Sequence, residues 1–196
     1  MKPLIVAFHT GEDRYVKDAK RMVASAEKFG YEVHLEVISS DLNWVKANCL
    51  KPSYIKEVIK KRGKRPILWL DCDGEVVREL EPLHNPIFNL GLCWIKKDTN
   101  YFQGGTIYMD LRDPLTCEYL DEWEIMCQKV INGEIESRWD QQLLWDVWHG
   151  MNNIPITQLK EQGFVKVYDH PWWQPECTKV EYIKHHQASR EIRKVK

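Results

Sequence analysis

At 196 residues the chain suits one domain with room for a substantial core. Lys and Arg total 28 against 29 Asp and Glu, a balance that neither demands a nucleic-acid partner nor excludes an anionic ligand held by a local patch. No charged-then-apolar leader opens the chain, no apolar run approaches the ~20 residues of a membrane span, and the six cysteines form no CxxC pair, so a soluble, unprocessed protein of a reducing cytoplasm is expected.

Strands and helices alternate along the chain. Residues 4–8 form a short continuous apolar run, the pattern of a strand covered on both faces. Thr10 is placed to cap the helix that follows, on which Val16, Ala19, Val23 and Ala26 share one face before Gly30 closes it. Residues 31–38 alternate as a second strand, Pro52 opens a short helix that stops at Gly63, and the apolar run 66–70 is a third strand. Up to Asp73 this order predicts a parallel, doubly wound sheet. Further on, residues 86–95 and 104–111 read as strands, the second entered through the turn Gln103-Gly104-Gly105. Residues 114–132, with Gly133 as the stop, and 137–149 read as helices. The stretch containing Pro155, Pro171 and Pro175 is expected to be irregular until residues 180–183 form a last strand leading into Lys184-His185-His186. No internal repeat or low-complexity linker divides the chain.

The most informative stretch is the third strand, which ends abruptly at Asp71-Cys72-Asp73. In an α/β sheet, ligands bind beyond the carboxyl ends of the strands, so carboxylates there are well placed for chemistry. Two carboxylates at i and i+2 suit a shared hard cation, or one cation and one sugar hydroxyl. Asp is also an ordinary turn residue after a strand, so the tripeptide alone does not decide.

Three separated features converge: Asp71-Cys72-Asp73 at a strand end, Gly104-Gly105-Thr106 entering a strand, and His185-His186 followed by Ser189-Arg190. Together they resemble the GT-A class of nucleotide-diphospho-sugar glycosyltransferases, and within it the nucleotide-diphospho-sugar transferases related to glycogenin-like enzymes. The resemblance covers nearly the whole chain: a nucleotide-binding βαβ start, Lys51-Pro52-Ser53-Tyr54-Ile55 ahead of the metal strand, and WLDCDGEV in the place of the DxD motif. It continues through YFQGGTIYMDL for the acceptor-side glycine strand, WDQQLLWDV for the Asp-Gln helix start, and HHQASR for a late metal-binding His with a basic residue behind it. It implies a single α/β GT-A (Rossmann-like) domain over residues 1–196, with a mostly parallel central sheet flanked by helices. Residues 1–75 are then the nucleotide-binding half, and residues 76–196 the acceptor-side half with a metal-binding tail. The implied activity is metal-dependent transfer of a sugar from a UDP-sugar donor, with Mn²⁺ (or Mg²⁺) as cofactor.

Carried onto this sequence, the resemblance makes Asp73 a direct metal ligand, while Asp71 contacts ribose or metal through water. His185 or His186 completes the metal site, and the resemblance leaves open which. Arg190 and Lys51 are expected to neutralise the departing diphosphate. Phe8, His9, Thr10 and Tyr15 fall where such enzymes hold base and ribose, Tyr15 either stacking on uracil or packing as a helix aromatic. Gly104 and Gly105 belong to the donor side. Asp140 and Gln141 are the catalytic candidates. An inverting transferase needs a carboxylate base, which Asp140 suits, whereas the nearer resemblance is to retaining enzymes in which this pair orients donor and acceptor, so retention is expected. A helix N-terminal Asp held by the helix dipole is the plain alternative.

Two other functions compete. Asp71-Cys72-Asp73-Gly74 also fits the nucleophile motif of a haloacid-dehalogenase-like phosphatase, but Glu75 stands where that family has Thr and no Gly-Asp-x-x-x-Asp follows. The other is a module that binds nucleotide or sugar without turnover. The acceptor is open: the basic run Lys60, Lys61, Arg62, Lys64, Arg65 permits modified nucleic acid. Trp172-Trp173, between prolines, suits a stacking platform.

Overall fold

The structure is a computed structural model, described for residues 1–38, 43–93, 102–136, 138–150, 165–168 and 182–186, with backbone alone at residue 93 and over 165–168. Among the described residues the strands are β1 (Leu4–His9), β2 (Val33–Val37), β3 (Pro66–Leu70), β4 (Gly74–Val76), β5 (Leu90–Cys93), β6 (Thr106–Asp110), β7 (Val165–Tyr168) and β8 (Ile183–His185). The helices are α1 (Asp13–Glu27), α2 (Trp44–Asn48), α3 (Lys51–Arg62), α4 (Pro114–Asn132) and α5 (Asp140–Gly150). Six strands form one sheet in the order β2-β1-β3-β6-β5-β7, and β4 and β8 form a separate ribbon. β1 pairs parallel with β2 and β3, β6 runs antiparallel to β3 and β5, and β7 is parallel to β5. The sheet is thus mostly parallel, with β6 the reversed strand. Among the described residues, no helix is long and apolar enough to cross a membrane.

Strand side chains alternate between faces, and both faces of this sheet are covered, which is why β1 and β3 are apolar at successive positions. Ile5, Ala7, Leu68, Leu70 and Tyr108 meet Met22 and Ala26 of α1 on one side. Leu4, Val6, Ile67, Trp69, Ile107 and Met109 join a core with Ile55, Trp123 and Leu143 from α3, α4 and α5 on the other. α4 shows why its bounds are legible: the Asp113 side chain accepts the Thr116 amide at 2.8 Å, Pro114 opens the helix, and Gly133 ends it at φ +74°.

Several expectations need correction. Thr10 does not cap α1; Glu12 occupies the cap position with no side-chain bond, and the buried face is Asp18, Ala19, Met22 and Ala26, with Val16 and Val23 half-buried. The strand expected at 86–95 narrows to β5, with residues 94 and 95 outside the described residues, and the last strand runs through His185. Four elements were not expected: α2, β4, a 3₁₀ turn at Glu81–Leu83, and β7. Each is five residues or shorter, and β4 and β7 depend on partners distant in sequence.

Tyr31, 3% exposed, ties the start of β2 to the segment after β4. Its hydroxyl accepts the Leu80 amide at 2.8 Å and lies 2.9 Å from His84 Nε2. Burial pushes the phenol up to about 12, opposed by the Leu80 bond. The folded state therefore holds this proton more tightly than the unfolded chain, so the contribution is complete below about pH 10 and is lost as pH rises through about 12. Tyr31→Phe is expected to cost ~1–3 kcal/mol at neutral pH, because the Leu80 amide is left buried and unsatisfied. The loss should shrink above pH 10, as read by urea unfolding at both pH values.

Candidate functional site

The carboxyl ends of β1 and β3, with α2 and the start of α3, enclose a cleft of about 220 Å³. β1 delivers Phe8 and His9 to it, and Thr10 and Tyr15 follow; α3 contributes Lys51, and the end of β3 contributes Asp71 and Asp73. Seven residues expected from the sequence thus line one cavity. The chain turns out of β1 at Gly11 (φ +82°), whose amide donates to His9 Nδ1 at 3.0 Å. Phe8 is fixed edge-to-face on Tyr54 and Trp69, with centroids 5.4 and 5.2 Å away. Trp44, absent from the expectations because α2 was, forms part of the same wall.

At the inner end of the cleft a buried cation holds two carboxylates. Lys51 Nζ donates to Asp140 Oδ2 at 2.9 Å and to the Gly104 carbonyl at 3.1 Å, and stands 3.1 Å from Asp71 Oδ1. Lys51 and Asp140 are each 2% exposed. Burial alone lowers the ammonium, but Asp140 and Asp71 outweigh it and hold Lys51 above its ordinary range. Trp69 Nε1 donates to Asp71 Oδ1 at 2.7 Å, so the strand that presents Asp71 also orients it. Burial raises the Asp71 carboxyl, Asp73 and Asp140 add to the rise, and Lys51 and His185 oppose it. Burial followed by the Asp71 and Asp73 charges raises the Cys72 thiol, which keeps it protonated and a poor nucleophile.

Beside this group, His185 Nδ1 lies 3.0 Å from Asp73 Oδ1 and its Nε2 lies 2.9 Å from Thr106 Oγ1. The ribbon of β4 and β8 makes that contact, since His185 opposes Gly74, the residue after Asp73. His186 points elsewhere: its Nε2 is 2.6 Å from Glu75 Oε2, which approaches Arg21 of α1 at 3.9 Å. Of the two candidate histidines, the fold brings His185 to Asp73 and leaves His186 on the α1 side.

Gly104 and Gly105 are the closest approach between these groups. A Cβ at Gly104 would sit 2.5 Å from Asp140 Oδ2 and 3.1 Å from Gln141 Cγ. One at Gly105 would sit 2.9 Å from His185 Cε1 and 3.2 Å from Asp71 Oδ2. The glycines thus let the start of α5 and the end of β8 close on β3, which is why the turn carries no side chains. Arg190 and Trp172-Trp173 lie outside the described residues.

In fold, the chain is similar to a crystal structure described as a glycosyltransferase involved in the glycosylation of the major capsid of PBCV-1, with a TM-score of 0.64, 15% identity and 98% of each chain covered. The two share a fold. No family model matches the chain by sequence, and no curated protein does.

The sequence resemblance implies a divalent cation, and the cleft residues can be tested for it. Asp73 Oδ1 and His185 Nδ1 are hydrogen-bonded at 3.0 Å, close to the ~3 Å between cis ligands of an octahedral ion at ~2.1 Å. The carboxylate suits Mn²⁺ or Mg²⁺, and imidazole is a common ligand of divalent metals in general. Among the described residues no three His, Cys, Asp or Glu side chains are grouped to hold one metal ion. Asp71 and Asp140 flank the Lys51 ammonium and Asp73 stands close enough to add to the rise of the Asp71 carboxyl, so among the described residues carboxylates outnumber that ammonium here.

Proposed function

We propose that this chain transfers a sugar from a nucleotide diphosphate donor, a UDP-sugar, with retention of configuration. The observation that carries the reading is the pair of Asp73 and His185 at 3.0 Å, set among excess carboxylates at the mouth of a strand-end cleft. A diphosphate approaching Asp71 and Asp73 is repelled unless a cation lies between them. Asp73 and His185 would hold Mn²⁺ or Mg²⁺, with Asp71 next to them. When bound, the ion supplies charge neutralisation at the departing diphosphate.

The protein's own groups have separable parts in this reading. Phe8, His9, Thr10 and Tyr15 form the wall for base and ribose. Lys51 fixes Asp71 from behind and ties it to Asp140. Asp140 supports retention: its carboxylate is buried and turned onto Lys51, so it serves as the anion that positions that ammonium rather than as a base for an acceptor hydroxyl. Gln141, next to it and packed near Gly104, orients the ligands. The basic run near residue 60 gives little support to a nucleic-acid acceptor, since Lys61 pairs with Glu36, and Arg62 and Arg65 pair with Glu32. The phosphatase alternative places Thr where Glu75 stands, and here Glu75 lies in β4 with His186 on its carboxylate.

The test is thermal melting. UDP with Mn²⁺ is expected to raise the midpoint, and UDP with a chelator to raise it far less, because ligand bound to the native state stabilises by mass action. Equal shifts in both conditions would remove the metal from the reading, and no shift in either would remove the nucleotide.

A further inference from the structure

We propose that Trp44 and Trp139 form a saccharide-binding corner at the rim of the cleft, where a sugar acceptor docks; this rests on the transfer reaction proposed above. Trp44 opens α2 and lines the cleft. Trp139 stands one residue before Asp140, whose carboxylate holds the cleft residue Lys51. The corner therefore joins the donor wall to the start of α5.

The two indoles meet at right angles, with centroids 5.9 Å apart and planes at 87°. They are 40% and 42% exposed, although each offers a large apolar surface. Taking ~150–250 Å² for a tryptophan side chain, the pair leaves on the order of 150 Å² uncovered, far below the ~800 Å² that a stable protein partner covers on each side. A patch of that size fits one ring. An L-shaped pair grips a ring by face and edge, and a pyranose has both an apolar C–H face and a polar hydroxyl edge.

Glu12 and Asn48 line the same cleft as Trp44, and Asn48 Nδ2 donates to the Trp44 carbonyl at 2.8 Å, which leaves its amide oxygen and the Glu12 carboxylate as polar partners in that cleft. The platform is also anchored. The Trp139 carbonyl accepts the amides of Gln142 and Leu143 at 2.9 and 3.1 Å, and its own amide donates to Gln142 Oε1 at 3.2 Å. A fixed backbone with a half-exposed ring is preorganised to bind, because little freedom remains to be lost. Aromatic rings with a few convergent polar groups are the usual lining of small-molecule sites.

The test is saturation-transfer NMR on the full chain with Mn²⁺ and UDP, using methyl glucoside, methyl galactoside, methyl mannoside and maltotriose as probes. Wild type is expected to bind at least one of them. Trp139→Ala should weaken that binding on the order of tenfold or more, the worth of one aromatic stacking partner. Trp139→Phe should keep most of it, and the UDP–Mn²⁺ melting shift should be the same in all three proteins. Trp139→Ala binding the sugar as tightly as wild type overturns the proposal, and so does a wild type that binds no probe. Loss of the UDP shift in Trp139→Ala with sugar binding retained assigns the corner to the nucleobase and overturns it too. Failure of the transferase reading itself shows separately, as a wild type with no UDP–Mn²⁺ shift.

Discussion

Asp73→Asn is expected to erase the Mn²⁺-dependent part of UDP stabilisation and to leave the melting of the ligand-free protein nearly unchanged. The side chain lies past the end of β3, outside both apolar cores, and is 16% exposed. Asparagine keeps the shape and an oxygen for His185, so the ribbon of β4 and β8 loses little. What disappears is one negative charge, and with it the anionic oxygen proposed above to hold the cation. At a concentration of 100 times Kd, a ligand stabilises the native state by about 2.7 kcal/mol, and that amount is at stake. The measurement is the melting midpoint with UDP, with and without Mn²⁺, for both proteins. A variant whose Mn²⁺-dependent shift matches wild type would move the cation away from Asp73 and His185.

Much of this arrangement is legible in the sequence because local physics and tertiary structure agree. The runs at Leu4–His9 and Pro66–Leu70 are apolar at every position because helices cover both faces, and the Pro and Gly at the ends of α3 and α4 stop and start helices whatever lies nearby. Ligands gather at the carboxyl ends of strands, so placing β1 and β3 side by side brings Phe8, His9, Thr10, Tyr15, Asp71 and Asp73 to one cleft. What is not legible depends on distance along the chain. β4 and β8 are three residues each and pair across more than a hundred residues, and that register, not the tandem His185-His186, decides which imidazole meets Asp73. Lys51 reads as a phosphate ligand, since nothing local reveals that Asp140, 89 residues away, closes on it. Trp44 is hidden in a helix of five residues, too short to leave a periodic pattern.

Lys51→Met is expected to be the most destabilising of these changes. The ammonium is 2% exposed and lies between Asp140 and Asp71, so its removal leaves Asp140, also 2% exposed, as a buried carboxylate without a counter-charge. Removing one partner of a buried pair typically costs ~3–5 kcal/mol, a large share of the ~5–15 kcal/mol that holds a domain together. Methionine fills the space of the lysine stem, so little of the loss comes from a cavity. Asp71, with its side chain 33% exposed, can be solvated and adds less. The decisive comparison is Lys51→Met with Asp140→Leu in one chain. If burial of an unpaired charge is the cause, the double variant should recover most of the lost stability, because apolar replacement of both partners is often near neutral. Urea unfolding of the wild type, both single variants and the double variant gives the coupling energy directly. Additive losses would mean that Lys51 and Asp140 are each held by other contacts, and that the link from Asp71 through Lys51 to the start of α5 carries no energy.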